Sequence, residues 1–367
     1  MSFYKTIEEF KNFSFDKGFE KINESDVITA LSKDYLNEND FFALLSPAAE
    51  NYLEHMAQKA NEITKRQFGN VIILFTPLYI SNLCVNQCIY CGYNCLNKIF
   101  RKHLTYDEIE KEAEKISKTG LKHILLLTGE AKDKADPEYI YKSCEILKKY
   151  FTSIALEIYP MTEDEYRGAC KSGADQLTVY QETYNEELYK KLHLKGPKRD
   201  YRFRLDTPER AASAGLRGVN VGALLGLDEW KREMFFTGLH ADYLFRKFPD
   251  VEVSVSLPRI RPHEGEFQPD FNVSDKNMVQ IMTALRIFMP RCGITISTRE
   301  DKEFRDNILP LGVTKMSAGV STKVGGHTQE EKDTGQFEIS DERSVPQMAY
   351  DLKKYGYQPV YKDWQYI

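Results

Sequence analysis

Eight short apolar runs, separated by segments that carry helix-start and helix-stop signals, constrain this chain more than any other feature. They cover residues 71–83, 123–128, 154–159, 176–181, 219–224, 252–257, 294–297 and 315–320. Between them Thr105-x-x-Glu108 and Thr162-x-x-Glu165 read as capping boxes, Thr207-Pro208 opens a further helix, and Gly120, Gly173 and Gly215 stand where helices should stop. Ile109, Ala113 and Ile116 recur at helical spacing and predict a face packed on a sheet. Alternating strands and helices make a parallel sheet, and eight such units predict an α/β protein closed as a (β/α)8 TIM-type barrel. A functional site is then expected at the C-terminal ends of the strands. Residues 1–70 break the rhythm and read as a helical N-terminal extension. There Ser46-Pro47 is expected to start a helix whose Leu53, Met56, Ala57 and Ala60 share a face before Gly69. The expected division is an extension over 1–70, a barrel over 71–322, and a loop and C-terminal tail over 323–367 packed on the barrel. Residues 323–341 are polar and contain glycine, which suits a surface loop or lid.

Composition narrows the function classes. With 42% apolar residues in a chain of 367, a large core is available, while a formal net charge of −5 and the absence of any basic run exclude a dedicated nucleic-acid or acidic-membrane surface. No stretch approaches the roughly 18 apolar residues of a membrane span. The start, Met1-Ser2-Phe3-Tyr4-Lys5 followed by Glu8 and Glu9, lacks the apolar centre of a signal peptide, so a cytoplasmic location is expected. Seven cysteines without a disulfide rhythm suit a reducing compartment.

Three of those cysteines, spaced Cys84-x-x-x-Cys88-x-x-Cys91, directly follow the first apolar run. Three thiolates are one fewer than a closed zinc or iron–sulfur site uses, so a [4Fe–4S] cluster held by them keeps one iron open to another ligand. At this level two blander readings stay open: structural thiols, or a non-catalytic metal-binding scaffold closed by Cys95. With Tyr90 just before the third cysteine, the spacing resembles the signature of the radical S-adenosylmethionine (SAM) superfamily. That resemblance implies a [4Fe–4S] cluster on Cys84, Cys88 and Cys91, with SAM chelated by the open iron and cleaved to methionine and a 5′-deoxyadenosyl radical.

Polar residues that directly follow the apolar runs would occupy the barrel mouth. The selection comprises the cysteine loop after the first run, Thr128-Gly129-Glu130, Glu157 within the third run, Gln181-Glu182, Arg259 and Arg261, Arg299 and Glu300, and Ser321. Thr128-Gly129-Glu130 resembles the superfamily motif whose backbone and acid hold the amino group of SAM. Glu182 and Arg204 resemble the acid and base by which related barrels grip the ribose and the methionine carboxylate. On this basis Tyr90, Gly129, Glu130, Glu157, Glu182, Arg204 and Ser321 are expected to bind the cofactor, and Arg299, Glu300, Tyr180 and Arg259 to serve catalysis. The planar guanidinium of Arg299 suits the carboxylate of an amino-acid substrate. Pairing of Arg299 with Glu300 or Asp301 as a surface bridge is the alternative.

Five longer segments carry a closer resemblance. Leu45-Ser46-Pro47-Ala48-Ala49, Pro77-Leu78-Tyr79-Ile80-Ser81-Asn82-Leu83-Cys84, Tyr180-Gln181-Glu182-Thr183-Tyr184, His193-Leu194-Lys195-Gly196 and Tyr361-Lys362-Asp363-Trp364 are similar to the 2-iminoacetate synthase family, the tyrosine lyases of thiamine thiazole biosynthesis. The resemblance implies cleavage of the Cα–Cβ bond of L-tyrosine to 2-iminoacetate and p-cresol. It also implies an electron donor such as flavodoxin or ferredoxin, and thiazole synthase as a partner. A lyase of another aromatic amino acid, such as tryptophan, is the nearest alternative. The related tyrosine lyases of hydrogenase maturation carry a second cysteine-ligated cluster in a C-terminal extension, and no cysteine follows Cys292 here, which disfavours that reading. Residues 323–341 match the family only through Gly325-Gly326, and the segment from about Ser344 resembles its tail over the barrel mouth.

Overall fold

The computed structural model describes residues 2–328, 335–362, 364 and 365. Each apolar run forms a strand: β1 (Val71–Ser81), β2 (His123–Thr128), β3 (Ser153–Glu157), β4 (Gln176–Glu182), β5 (Gly218–Ala223), β6 (Glu252–Ser256), β7 (Gly293–Ile296) and β8 (Lys315–Ser317). All neighbours are parallel, and β1 pairs with both β2 and β8, which closes the expected barrel. Helices cover the outer face, so the strands are buried on both sides and their sequences are continuous apolar runs rather than alternating ones.

The helix signals act as read. Thr105 and Thr162 accept from the backbone N–H groups of Glu108 and Glu165, whose carboxylates return the bond, and Gly173 ends its helix at φ 114°. Helix Tyr106–Ser117 buries Ile109, Ala113 and Ile116, and with them Glu112. That buried acid accepts the backbone N–H groups of His327 and Thr328 at 3.0 and 2.7 Å, tying the loop after β8 to the first barrel helix.

Ser46 does not cap a helix: its hydroxyl donates back to Ala43 O at 2.7 Å, Pro47–Tyr52 is a tight 3-10 turn, and the α-helix is Leu53–Phe68. Met56 and Ala60 are buried there, whereas Leu53 and Ala57 are only half-buried. The helices before β1 pack on the outer layer through aromatic rings, with Phe41 stacked on Phe288 at 4.4 Å and edge-on contacts of Phe42 to Phe235 at 5.3 Å.

The cover over the mouth lies earlier in the chain than the reading from Ser344 places it. Residues 335–341 cross the opening, where Gln336 accepts from Tyr79 Oη at 2.9 Å and the backbone of Glu338 and Ser340 donates to Pro262 O and Thr298 O at 3.0 and 2.9 Å. Buried Arg305, Asp341 and Arg343 then fix the exit of this segment, with Arg343 also reaching Asp306 at 2.7 Å and Asp351 at 2.9 Å. From Ser344 the chain runs to the opposite end of the barrel. Helix Val345–Lys354 leads to an unexpected strand, β9 (Gln358–Val360), which pairs with Val71–Ile73 at the start of β1. The cause is the length of β1: β2 pairs with it only from Thr76 upward, so its first residues would otherwise leave an open edge. Beyond β9, Tyr361 O accepts from the Lys122 N–H at 3.1 Å, and the Trp364 ring lies 4.7 Å from the Arg217 guanidinium just before β5. Residues 329–334 of the expected lid, and Asp363, lie outside the described residues.

Candidate active site

A register shift between Tyr79 and Ser81 ends β1 and turns the chain into the cysteine loop. The loop is held from several sides. Arg101 donates to the carbonyls of Asn82, Tyr93 and Asn94 at 2.7, 3.0 and 2.6 Å, and Asn82 exchanges bonds with Phe100 O and the Lys102 N–H. Asn86 joins the loop to the end of β2 and to the turn Pro197–Arg199, donating to Glu130 at 2.6 Å and accepting from the Lys198 N–H at 3.0 Å. Residues 192–195 run alongside, bonded to Gln87 and Ile89 through the backbone. Two glycines permit this closeness: a Cβ on Gly129 would meet Leu83 O at 2.3 Å, and one on Gly196 would meet Asn86 Oδ1 at 2.2 Å.

Cys84, Cys88 and Cys91 line one cavity together with Gly129, Glu130, Glu157, Tyr180, Glu182, Lys198 and Arg204, while Cys95 does not line it. Burial pushes the Cys88 and Cys91 thiols up; Lys198 offsets part of this and the neighbouring cysteines add to it. Thiols that ionise reluctantly alone, converging on a polar cavity, suit a cationic thiophilic centre that would hold them as thiolates. Thr128 Oγ1 in the same cavity is buried and lacks a hydrogen-bond partner among the described residues. The residues present therefore fit a three-thiolate [4Fe–4S] cluster with an open iron and a polar ligand beside it.

The cofactor-side acids and bases lie around that space. Glu182 has φ 71°, the only non-glycine residue at positive φ among the described residues, at a register shift between β4 and β5. Its carboxylate accepts from Lys198 at 2.6 Å and Arg204 at 3.2 Å, and Arg204 Nε donates to Tyr180 O at 2.7 Å. Burial alone would raise the Glu182 carboxyl, but Lys198 and Arg204 outweigh it and hold the group ionised below its ordinary value. Tyr90 is buried, with its hydroxyl 2.7 Å from His193 Nε2. The other ring nitrogen of His193 is 2.8 Å from Tyr189 O, which can only accept, so Nδ1 carries the proton and Tyr90 is the donor to Nε2. Burial holds this imidazole neutral, with its pKa lowered to about 3.

Deeper in the barrel, Glu157 and Tyr180 line both the cysteine cavity and a lumen that Arg299 closes from above. Burial raises the Glu157 carboxyl to about 7, and Arg299 offsets part of that rise. The Arg299 guanidinium lies 3.6 Å from the Phe337 ring and makes a 3.4 Å bond to Arg259 O. It makes no ion pair among the described residues, so the alternative of a bridge to Glu300 or Asp301 does not hold.

Three expected site residues are engaged elsewhere. Arg259 grips Glu300 through Nε at 3.0 and 2.9 Å, with further bonds to Val273 O and Asp275, and Glu300 is 1% exposed. Neither lines the cavities; the pair braces the segments after β6 and β7 because a guanidinium and a carboxylate side by side neutralise each other. Ser321 likewise stays outside, its hydroxyl accepting from the Lys323 N–H at 3.3 Å within a turn. Lys198, Gln336 and Phe337 are site residues that the strand-end rule passes over, since none directly follows a strand, and Asn86 lies in the selected cysteine loop without being singled out there. Lys198 sits two residues beyond Gly196, where a segment already singled out ends, which was the available signal.

Residues 78–237 match the radical SAM superfamily and residues 256–358 the biotin and thiamin synthesis associated domain. Over 341 residues, 93% of this chain and 90% of either relative, the sequence is 38% identical to 2-iminoacetate synthase of Salmonella typhimurium and 39% identical to that of Escherichia coli. The crystal structure of HydG, a maturase of the [FeFe]-hydrogenase, superposes with a TM-score of 0.91 at 31% identity, covering 98% of this chain and 80% of HydG.

Proposed function

Because the chain belongs to the 2-iminoacetate synthase family of radical SAM enzymes, we propose that its barrel carries out the cleavage of L-tyrosine to 2-iminoacetate and p-cresol. It is a carbon–carbon lyase that uses a [4Fe–4S] cluster and SAM. The observation that carries the substrate reading is the unpaired Arg299, which overhangs a lumen continuous through Glu157 and Tyr180 with the cysteine cavity. When bound, cluster and SAM supply the 5′-deoxyadenosyl radical that takes a hydrogen atom from the substrate amine.

The chain's own residues divide the remaining work. Cys84, Cys88 and Cys91 hold the cluster. Thr128, Gly129 and Glu130 would hold the amino group of SAM, and Glu182 with Arg204 and Lys198 would present a fixed charge pattern to its ribose and carboxylate. Arg299, kept flat by Phe337, offers two parallel N–H donors to the tyrosine carboxylate. Glu157, poised near neutrality by burial, hydrogen-bonds amino or hydroxyl groups at the boundary between cofactor and substrate. Residues 335–341 exclude water from the lumen. A cytoplasmic location, an electron donor of the flavodoxin or ferredoxin type, and delivery of the unstable imine to thiazole synthase belong to the same proposal. Among the described residues no helix is long and apolar enough to cross a membrane.

Anaerobic reconstitution with iron and sulfide, then incubation with SAM, a reductant and either tyrosine or tryptophan, tests the reading. The expected result is 5′-deoxyadenosine with p-cresol from tyrosine and no indole product from tryptophan. Turnover of tryptophan in preference to tyrosine would replace the substrate and leave the cofactor chemistry standing.

A further inference from the structure

Below the charged ring of the lumen lies a neutral polar one. At and below the level of Glu157, Tyr180 and Arg299, the far wall presents Thr178, Asn220, Ser256, Thr295 and Ser317, while Pro77, Leu125 and Ala155 make the near wall apolar. Within the polar wall Asn220 stands out. It is 9% exposed, its Nδ2 donates to Thr295 Oγ1 at a long 3.3 Å, and its Oδ1 has no partner among the described residues. A buried amide oxygen without a donor is costly, and a ligand hydroxyl is the simplest group to relieve it.

The spacing sets what that ligand is. Asn220 pairs in register with Thr178, two residues below the level where Tyr180 pairs with Gly222. Two residues of strand span roughly 6.6 Å, about the reach of a tyrosine side chain from its Cα to its hydroxyl. The Tyr180 ring lies against Gly222, where a Cβ would come within 3.2 Å of Tyr180 Cδ1, so the wall above Asn220 is aromatic. An amino acid whose carboxylate meets Arg299 at the mouth would lay its ring along that wall and bring a para substituent to the amide. Resting on the tyrosine reading above, we propose that Asn220 reads the substrate phenol, its Oδ1 accepting the hydroxyl hydrogen, and so sets the preference for tyrosine over phenylalanine.

Calorimetry on the reconstituted, SAM-loaded enzyme with L-tyrosine and L-phenylalanine tests this, alongside the near-isosteric Asn220→Leu variant. The wild type is expected to bind tyrosine at least about tenfold more tightly than phenylalanine, as for a buried polar group left unpaired. Asn220→Leu should erase that ratio by weakening tyrosine while leaving phenylalanine as tight or tighter. Equal affinities in the wild type, or a preserved ratio in Asn220→Leu, would overturn the assignment. Should the variant fail to hold iron, the wild-type ratio and the weaker loss expected for Thr295→Val, which withdraws the amide's neighbour, still decide. A wild type that forms no p-cresol from tyrosine defeats the functional reading; one that forms p-cresol yet binds both amino acids equally defeats only the role of Asn220.

Discussion

The two ends of the barrel carry similar charged side chains and treat them oppositely. At the base, Arg217 donates to Asp175 at 3.1 Å and to Glu252 at 2.7 Å beneath Trp364, and Lys315 donates to Gln176 at 3.1 Å. Asp175 also takes the Ile154 N–H and the Ser153 hydroxyl, so each charge there is answered by the chain itself. At the mouth Arg299 has, among the described residues, only an aromatic face and a carbonyl for its guanidinium, burial lifts the Glu157 carboxyl to about 7, and Glu182 keeps a strained backbone under two cations. Charges at the base are paired and close the structure, whereas at the mouth Arg299 and Glu157 make no ion pair among the described residues, the asymmetry a barrel of this kind builds between stability and chemistry.

The comparison breaks most readily at the cysteines. Replacing Cys84, Cys88 or Cys91 by Ala should abolish deoxyadenosine formation and the iron–sulfur absorbance, whereas Cys95→Ala should preserve both; the reverse pattern would return the chain to a closed four-thiolate scaffold. Next in size is Glu182→Gln, which leaves Lys198 and Arg204 buried without their counter-charge at a cost on the order of 3–5 kcal/mol. SAM cleavage should fall with every substrate and in its absence, read as uncoupled deoxyadenosine.

Arg299→Lys keeps the charge but loses the two-point fork, so tyrosine half-saturation should rise by the equivalent of about 2–5 kcal/mol while slow substrate-free SAM cleavage persists. Glu157 supplies the pH test. Burial raises its carboxyl from 4.5 to about 7, so the folded chain retains a proton that the unfolded chain has already lost. The group therefore subtracts stability as pH rises from about 4.5 through 7, and Glu157→Gln should flatten the stability profile in that window. Activity near neutrality should lose one inflection in the same variant. Smallest is Arg217→Met at the base, expected to lower stability by about 1–3 kcal/mol in denaturant titration and to leave the kinetic constants unchanged. A kinetic effect there matching that of Arg299→Lys would erase the distinction between the two ends.

Much of this was legible in sequence because its causes are local. Parallel strands buried on both faces must be apolar throughout, and capping boxes satisfy helix ends within four residues, so the barrel and its helix starts could be read directly. Strand β9 could not: Gln358-Pro359-Val360 carries a proline that strand rules reject, tolerated only because it pairs along one side of β1. At the site, Arg259, Arg299 and Glu300 look alike as charges after strands. Only the folded geometry shows that Glu300 neutralises Arg259 and leaves Arg299 without an ion pair among the described residues. Lys198 escaped because its partner Glu182 is sixteen residues away on another element.

The central claim is that the mouth joins cluster chemistry to an amino-acid grip. It is tested most directly by supplying tyrosine labelled at its α-carbon to the reconstituted enzyme and quantifying labelled glyoxylate, the hydrolysis product of 2-iminoacetate, against p-cresol. Wild type should give the two in equal amounts, and Arg299→Lys should lose both at limiting tyrosine while still cleaving SAM. Deoxyadenosine without either product in the wild type, or equal product yields in the two proteins, would contradict it.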